Sequence, residues 1–142
     1  MSRRLLKTVL AAAGAAVVVA VTPFTAQAAS YSGGNYGAYA FEGQYPTVGG
    51  CTGSFTEKYT RHAEGMTLRY YYSSRCGSFA RIENSRPGCV AVAVRSNGGW
   101  VSESVDPGIT YAYTKIANNL NGRLSKAVLS CDGHDLVETP YY

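Results

Sequence analysis

Met66-Thr67-Leu68-Arg69-Tyr70-Tyr71-Tyr72-Ser73 is the stretch whose reading decides the fold. Met66, Leu68, Tyr70 and Tyr72 alternate with Thr67, Arg69, Tyr71 and Ser73, the period of a half-buried strand. That period sends Tyr71 to the face opposite Tyr70 and Tyr72. Working outward, the same texture recurs on both sides. Upstream, 54–61 is rich in Thr, Phe and Tyr. Downstream, 79–83 is a short strand, and Val90, Val92 and Val94 alternate with Ala91, Ala93 and Arg95. Further strands are expected over 100–105, 111–116 and 124–131. Between them stand Glu64-Gly65, Cys76-Gly77, Pro87-Gly88, Asn97-Gly98-Gly99, Asp106-Pro107-Gly108 and Asn121-Gly122. Each supplies a residue that tolerates positive φ or a proline that pre-sets a turn. About seven strands at this spacing predict an all-β fold, a small disulfide-stapled sandwich or barrel. The best candidate for a helix, 115–120, is at most one turn, and the tail Pro140-Tyr141-Tyr142 is expected to fray.

Four cysteines lie in this region: Cys51, Cys76, Cys89 and Cys131. An even count in a small exported domain reads as two disulfides, and no C-x-x-C pair suggests zinc. Three pairings satisfy the count. Cys51–Cys76 with Cys89–Cys131 is preferred, because each joins the ends of a meander of strands without crossing the other. Chain entropy assigns these loops upper values of ~3.5 and ~4 kcal/mol.

The N-terminus has the three parts of an export signal. Arg3, Arg4 and Lys7 are followed by uncharged Val9 to Val21, and then by Ala26-Gln27-Ala28. The apolar run falls short of the ~20 residues that a membrane span needs. Cleavage after Ala28 is expected, and with it a secreted protein that has no membrane segment once processed. The expected organisation is 1–28 signal peptide, 29–50 Gly/Tyr-rich flexible arm and 51–142 β domain. Export through the twin-arginine route is the less favoured reading, because Lys7 stands where that signal has an apolar residue.

The net charge of +4 belongs partly to the leader. Three of the 13 bases are Arg3, Arg4 and Lys7, so ten bases face nine acids in the mature chain. A near-neutral domain has no electrostatic footprint for nucleic acid. Arg69, Arg75, Arg81, Arg86 and Arg95 are interspersed with acids and read as solvating strands and turns.

One segment carries a resemblance. Leu68-Arg69-Tyr70-Tyr71-Tyr72-Ser73-Ser74-Arg75-Cys76-Gly77-Ser78-Phe79-Ala80-Arg81-Ile82 resembles the YjfA-like family of small secreted Gram-positive proteins of unknown function. In that family a strand ends Tyr-Ser-x-x-Cys and Trp-Ala-Arg follows; here Phe79 stands at the Trp. Tyr113-Thr114-Lys115-Ile116, Ala127 and Cys131 resemble the family's closing strand. The resemblance implies an exported, disulfide-bonded β domain and brings no activity with it.

Candidate chemistry is sparse. His62 sits beside Arg61 and Glu64, and His134 beside Asp135 and near Glu138. A small ribonuclease uses His, Glu and Arg to shuttle protons, so a secreted phosphodiesterase is the alternative reading. Exposed histidines in polar turns are the commoner case, and no catalytic residue is assigned. Asp132, Asp135 and Glu138 lack the spacing of a calcium loop, and no metal or cofactor is expected. The Ser85-Arg86-Pro87-Gly88-Cys89 stretch could serve as the contact loop of a protease inhibitor, but an ordinary Pro-Gly turn leading into a bridged cysteine is the favoured reading. The strongest hint is aromatic: all 12 tyrosines and Trp100 follow the leader. Tyr71, Trp100 and Tyr113 on neighbouring strands are expected to form an exposed ligand-binding platform, since rings offer apolar area at little entropic cost. The reading is therefore a secreted, non-catalytic binding module for a cell-envelope glycan or a protein partner.

Overall fold

A computed structural model describes Gly34 and residues 39–142. The leader read at 1–28 lies outside the described residues. Eight strands follow: β1 (Thr56–Ala63), β2 (Met66–Ser73), β3 (Gly77–Glu83), β4 (Cys89–Arg95), β5 (Trp100–Ser104), β6 (Ala112–Tyr113), β7 (Ser125–Cys131) and β8 (His134–Glu138). They form two antiparallel sheets of four, ordered β1-β2-β3-β6 and β5-β4-β7-β8. The sheets are packed on each other and neither closes, so of the two expected architectures this is the sandwich. No helix occurs among the described residues. The single helical turn considered at 115–120 is irregular chain, and Ala117 bridges back to Ser78 there.

The period of β2 does what its pattern predicts. Met66, Leu68 and Tyr70 are buried between the sheets with Ala80 and Ile82 of β3 and Ala91, Ala93, Ala127 and Leu129 of the second sheet. Small alanines on β4 and β7 let the two sheets approach around the Tyr70 ring. Two tight hairpins set the register. Ala63 pairs with Met66 across Glu64-Gly65, and Cys131 pairs with His134 across Asp132-Gly133. Both residues of each loop have positive φ (50° and 77°, 53° and 84°), the geometry that matches strand twist and favours glycine second.

Both disulfides form as expected, Cys51–Cys76 and Cys89–Cys131. The second staples β4 to β7 in register. The first ties the chain before β1 to the turn after β2. Bonds of this kind form and persist in an oxidising environment.

Two terminal segments depart from the sequence reading. Residues 39–50, the described end of the segment read as an arm, form successive turns rather than an extended chain. Gly43 N donates to Ile116 O and Ile116 N to Gln44 O, while Phe41 and Val48 pack on the Cys51–Cys76 bridge and Ile116. Glu42 is buried against Arg95. The tail does not fray either. Ser125 and Tyr142 exchange backbone hydrogen bonds, and the Tyr142 ring packs on Tyr59, Tyr70 and Tyr72.

Candidate functional site

The outer face of the first sheet carries the side chains that β2 and β3 turn away from the second sheet, Phe79 being covered there by neighbouring rings. Register places Tyr71 opposite Phe79, Arg69 opposite Arg81, and Arg81 opposite Tyr113. The Tyr71 ring lies flat on Phe79, centroids 4.7 Å apart and planes 7° from parallel. Phe55 meets Phe79 edge-on at 4.9 Å. Beside this stack runs a lattice of alternating charge. Arg69 donates to Glu57 at 2.9 Å and to Glu83 at 3.0 Å, and Arg81 Nε lies 2.8 Å from Glu83 Oε1. The Arg81–Glu83 contact is an ion pair only: among the described residues Nε–H has no hydrogen-bond acceptor.

The ionisation of this lattice follows from its geometry. Partial burial works against the Glu57 carboxylate. Hydrogen bonds from Thr60 and Arg69, and the Arg69 charge, outweigh it and hold the group below the usual carboxylate range. Arg69 is held above its ordinary value by its hydrogen bonds to Glu83 and Glu57. Burial, and then the Glu57 charge, push the Tyr71 hydroxyl up, so it stays protonated and donates to Glu57 at 3.4 Å. A lowered carboxyl stabilises the fold above the ordinary carboxylate range, and that contribution is lost as pH falls through its folded value. With the Glu57 side chain 36% exposed, the contribution is small.

Two hollows open at the β6 edge of this face and share Tyr113. One, of about 210 Å³, is lined by Pro46, Thr47, Phe79, Arg81 and Tyr113. The other, of about 170 Å³, lies between Tyr45, Tyr111 and Tyr113 and the end of β5. Tyr45 meets Tyr113 edge-on at 5.8 Å, and the Tyr111 and Tyr113 planes are 2° apart with centroids at 6.5 Å. The Arg81 guanidinium lies over the Tyr111 ring at 5.7 Å.

No family model, curated protein or solved structure matches this chain. Its site is therefore read from its own residues alone.

The three expected platform residues do not come together. Tyr71 and Tyr113 share the outer face of the first sheet, with Phe79 and Arg81 between them. Trp100 does not join them. It opens β5, pairs with Val94, and packs half-buried on Val90, Val92, Val94 and Val128 on the outer face of the second sheet. The reason is topological: the tight turn 96–99 keeps β5 beside β4, whereas β6 crosses back to pair with β3. The sequence reading also missed Tyr45, Tyr111 and Pro46 as parts of the site, and took Arg81 for an ordinary solvating residue. Tyr111 was open to detection, because it alternates with Tyr113 as i and i+2.

The reassignment of Trp100 has a measurable consequence. Trp100→Ala should cost ~2 kcal/mol in urea unfolding through lost packing on the valines. Tyr71→Ala, losing one stacked ring face, should cost ~1 kcal/mol. The opposite order would mean that Tyr71, not Trp100, is the packing residue.

The histidines lie apart from both hollows. His62 is exposed, its Nδ1 3.2 Å from Thr67 Oγ1, and His134 is exposed at the start of β8. Arg86 does not stand free at a loop tip, since it donates to Asp132 at 3.0 Å. Glu138 is held by Lys126 at 2.5 Å. No group of three or more His, Cys, Asp or Glu that could hold a metal is found among the described residues. No helix there is long and apolar enough to cross a membrane.

Proposed function

We propose that this protein is a secreted, non-catalytic module that binds a glycan of the cell envelope through the outer face of its first sheet. The carrying observation is the hollow formed by Phe79, Arg81, Tyr113, Pro46 and Thr47, with Tyr71 extending its aromatic wall. Ring faces stack on the apolar faces of sugars. The flanking Arg81, Arg69, Glu83 and Glu57 supply donors and acceptors for hydroxyl groups. Export rests on the 1–28 leader, and the two disulfides support it. The resemblance to the YjfA-like proteins agrees with export and adds no ligand. The positions of His62 and His134 favour binding over phosphodiester hydrolysis, which needs a general base within hydrogen-bond reach of its substrate.

The test is co-sedimentation of the domain beginning at Ala29 with purified cell-wall polysaccharide. Arg81→Ala and Tyr113→Ala should each lower retention about five-fold or more, the loss that follows from ~1 kcal/mol of binding. Trp100→Ala should retain the parent's affinity once folded. Equal retention of all three variants would remove the first sheet's face from the proposal.

A further inference from the structure

The second hollow has a different chemistry. Its walls are Tyr45, Tyr111 and Tyr113, with Glu103, Ser104, Asp106, Ile109 and Ala112. Three of these are aromatic rings and two are carboxylates; no Lys or Arg lines it among the described residues. We propose that this hollow is a binding site for a quaternary ammonium group, the methylated cation of a choline-type ligand. The proposal goes beyond the glycan reading and does not rest on it.

The ring faces supply the first part of the argument. An aromatic face carries negative quadrupolar charge and attracts a cation placed over it, the basis of cages for methylated ammonium ions. Two of these rings already hold cations of the chain itself. Arg81 lies over Tyr111 at 5.7 Å and Lys115 over Tyr45 at 5.4 Å. Both rings are thus placed where a positive charge is stable, and neither base enters the lining.

The carboxylates supply the second part. Glu103, near the end of β5, accepts a hydrogen bond from the Tyr45 hydroxyl at 3.3 Å, which fixes that ring against the wall. Asp106 opens the turn that leads to Ile109, whose N–H donates to Asp106 O at 3.1 Å. Glu103 and Asp106 are the charged groups of the wall itself, while Arg81 and Lys115, 5.7 and 5.4 Å from the Tyr111 and Tyr45 ring centroids, offset part of their charge, so selection for a methylated cation falls mainly to the ring faces.

Size and hydration select among cations. A hollow of 170 Å³ exceeds the ~150 Å³ that accepts a benzene-sized guest, room enough for a trimethylammonium head. A primary ammonium is compact, strongly hydrated and needs acceptors for three N–H groups. A methylated one spreads its charge over groups that need none, and so suits rings better than water-like ligands.

The test is an NMR titration of the mature domain with choline. Ethanolamine and the neutral tert-butyl isostere of choline serve as controls. Choline should give saturable shifts in residues around Tyr111 and Tyr113, with a Kd of millimolar order, as expected for a small half-open cage. The neutral isostere and ethanolamine should bind at least ~5-fold more weakly. Tyr111→Ala and Asp106→Asn, both at exposed positions, should each weaken choline by ~3-fold or more with an unchanged amide spectrum elsewhere. Equal binding of the neutral isostere or of ethanolamine, or no saturable choline shift, overturns the proposal. The two readings separate at Asp106→Asn, which lines this hollow and not the one proposed for the glycan, so it should weaken choline and leave polysaccharide retention unchanged.

Discussion

Glu42→Ala is expected to destabilise the domain by about 3–5 kcal/mol, because it breaks an ion pair buried on both sides. The Glu42 side chain is 0% exposed and that of Arg95 6%. Arg95 closes β4, and its guanidinium lies so close to Gly99 that a Cβ there would fall 2.1 Å from Nη2. The guanidinium thus packs against the 96–99 turn, in space that only a glycine at 99 leaves open. Glu42 Oε1 also accepts from Asn118 N at 3.4 Å, which joins the 39–50 turns to the irregular chain after β6. Glu42→Gln keeps the shape and an acceptor, and should lose less than Glu42→Ala. Urea unfolding measures both. A loss under ~1 kcal/mol for Glu42→Ala would mean that 39–50 is dispensable to the fold.

Tyr70→Ala should cost about 3–5 kcal/mol, the range for emptying a buried aromatic position. Tyr70 is fully buried at the centre of the core, and its hydroxyl joins the two sheets. It lies 2.6 Å from Ser125 Oγ on β7, which in turn lies 2.7 Å from Ser78 Oγ on β3. Asn119 Nδ2 donates to the same hydroxyl at 2.9 Å. Burial pushes the Tyr70 hydroxyl up, so it remains a neutral donor and acceptor. Tyr70→Phe separates ring from hydroxyl: it keeps the packing, takes the acceptor from Asn119 Nδ2 and leaves Ser125 with Ser78 as its remaining side-chain partner, for an expected ~1–3 kcal/mol. If Tyr70→Phe matched the parent, the polar network would contribute nothing to holding the sheets together.

These two positions mark where the sequence was legible. Tyr70 was readable because period two is a local signal: one octapeptide assigns its inner and outer faces without reference to the rest of the chain. The disulfide pairing was readable for a related reason, since consecutive meanders close their own ends. Glu42 was not readable. Its segment is dominated by glycine and tyrosine, and composition cannot show that one carboxylate is met by an arginine far along the chain. Trp100 failed at the level of topology. Its strand was expected, but nothing near Asn97-Gly98-Gly99 says which sheet a hairpin will join. The β8 hairpin was missed although Asp132-Gly133 is a strong turn signal; its acids drew attention to metal binding instead. Tyr142 was expected to fray because its only local context is a chain end, whereas its partners Tyr59, Tyr70 and Tyr72 are distant in sequence.

The proposed glycan site has the same mixed origin. Tyr71 and Tyr113 came from alternation, while the Phe79–Arg81 wall between them came from register, which only the folded sheet reveals. The most direct test of the account is an NMR titration of the domain beginning at Ala29 with a soluble fragment of the cell-wall glycan proposed as its ligand. Shifts are predicted to concentrate at Tyr71, Phe79, Arg81 and Tyr113, with the amides of β4 and β7 unmoved. Shifts centred instead on Trp100, Val92 and Val128 would place binding on the second sheet and contradict the account.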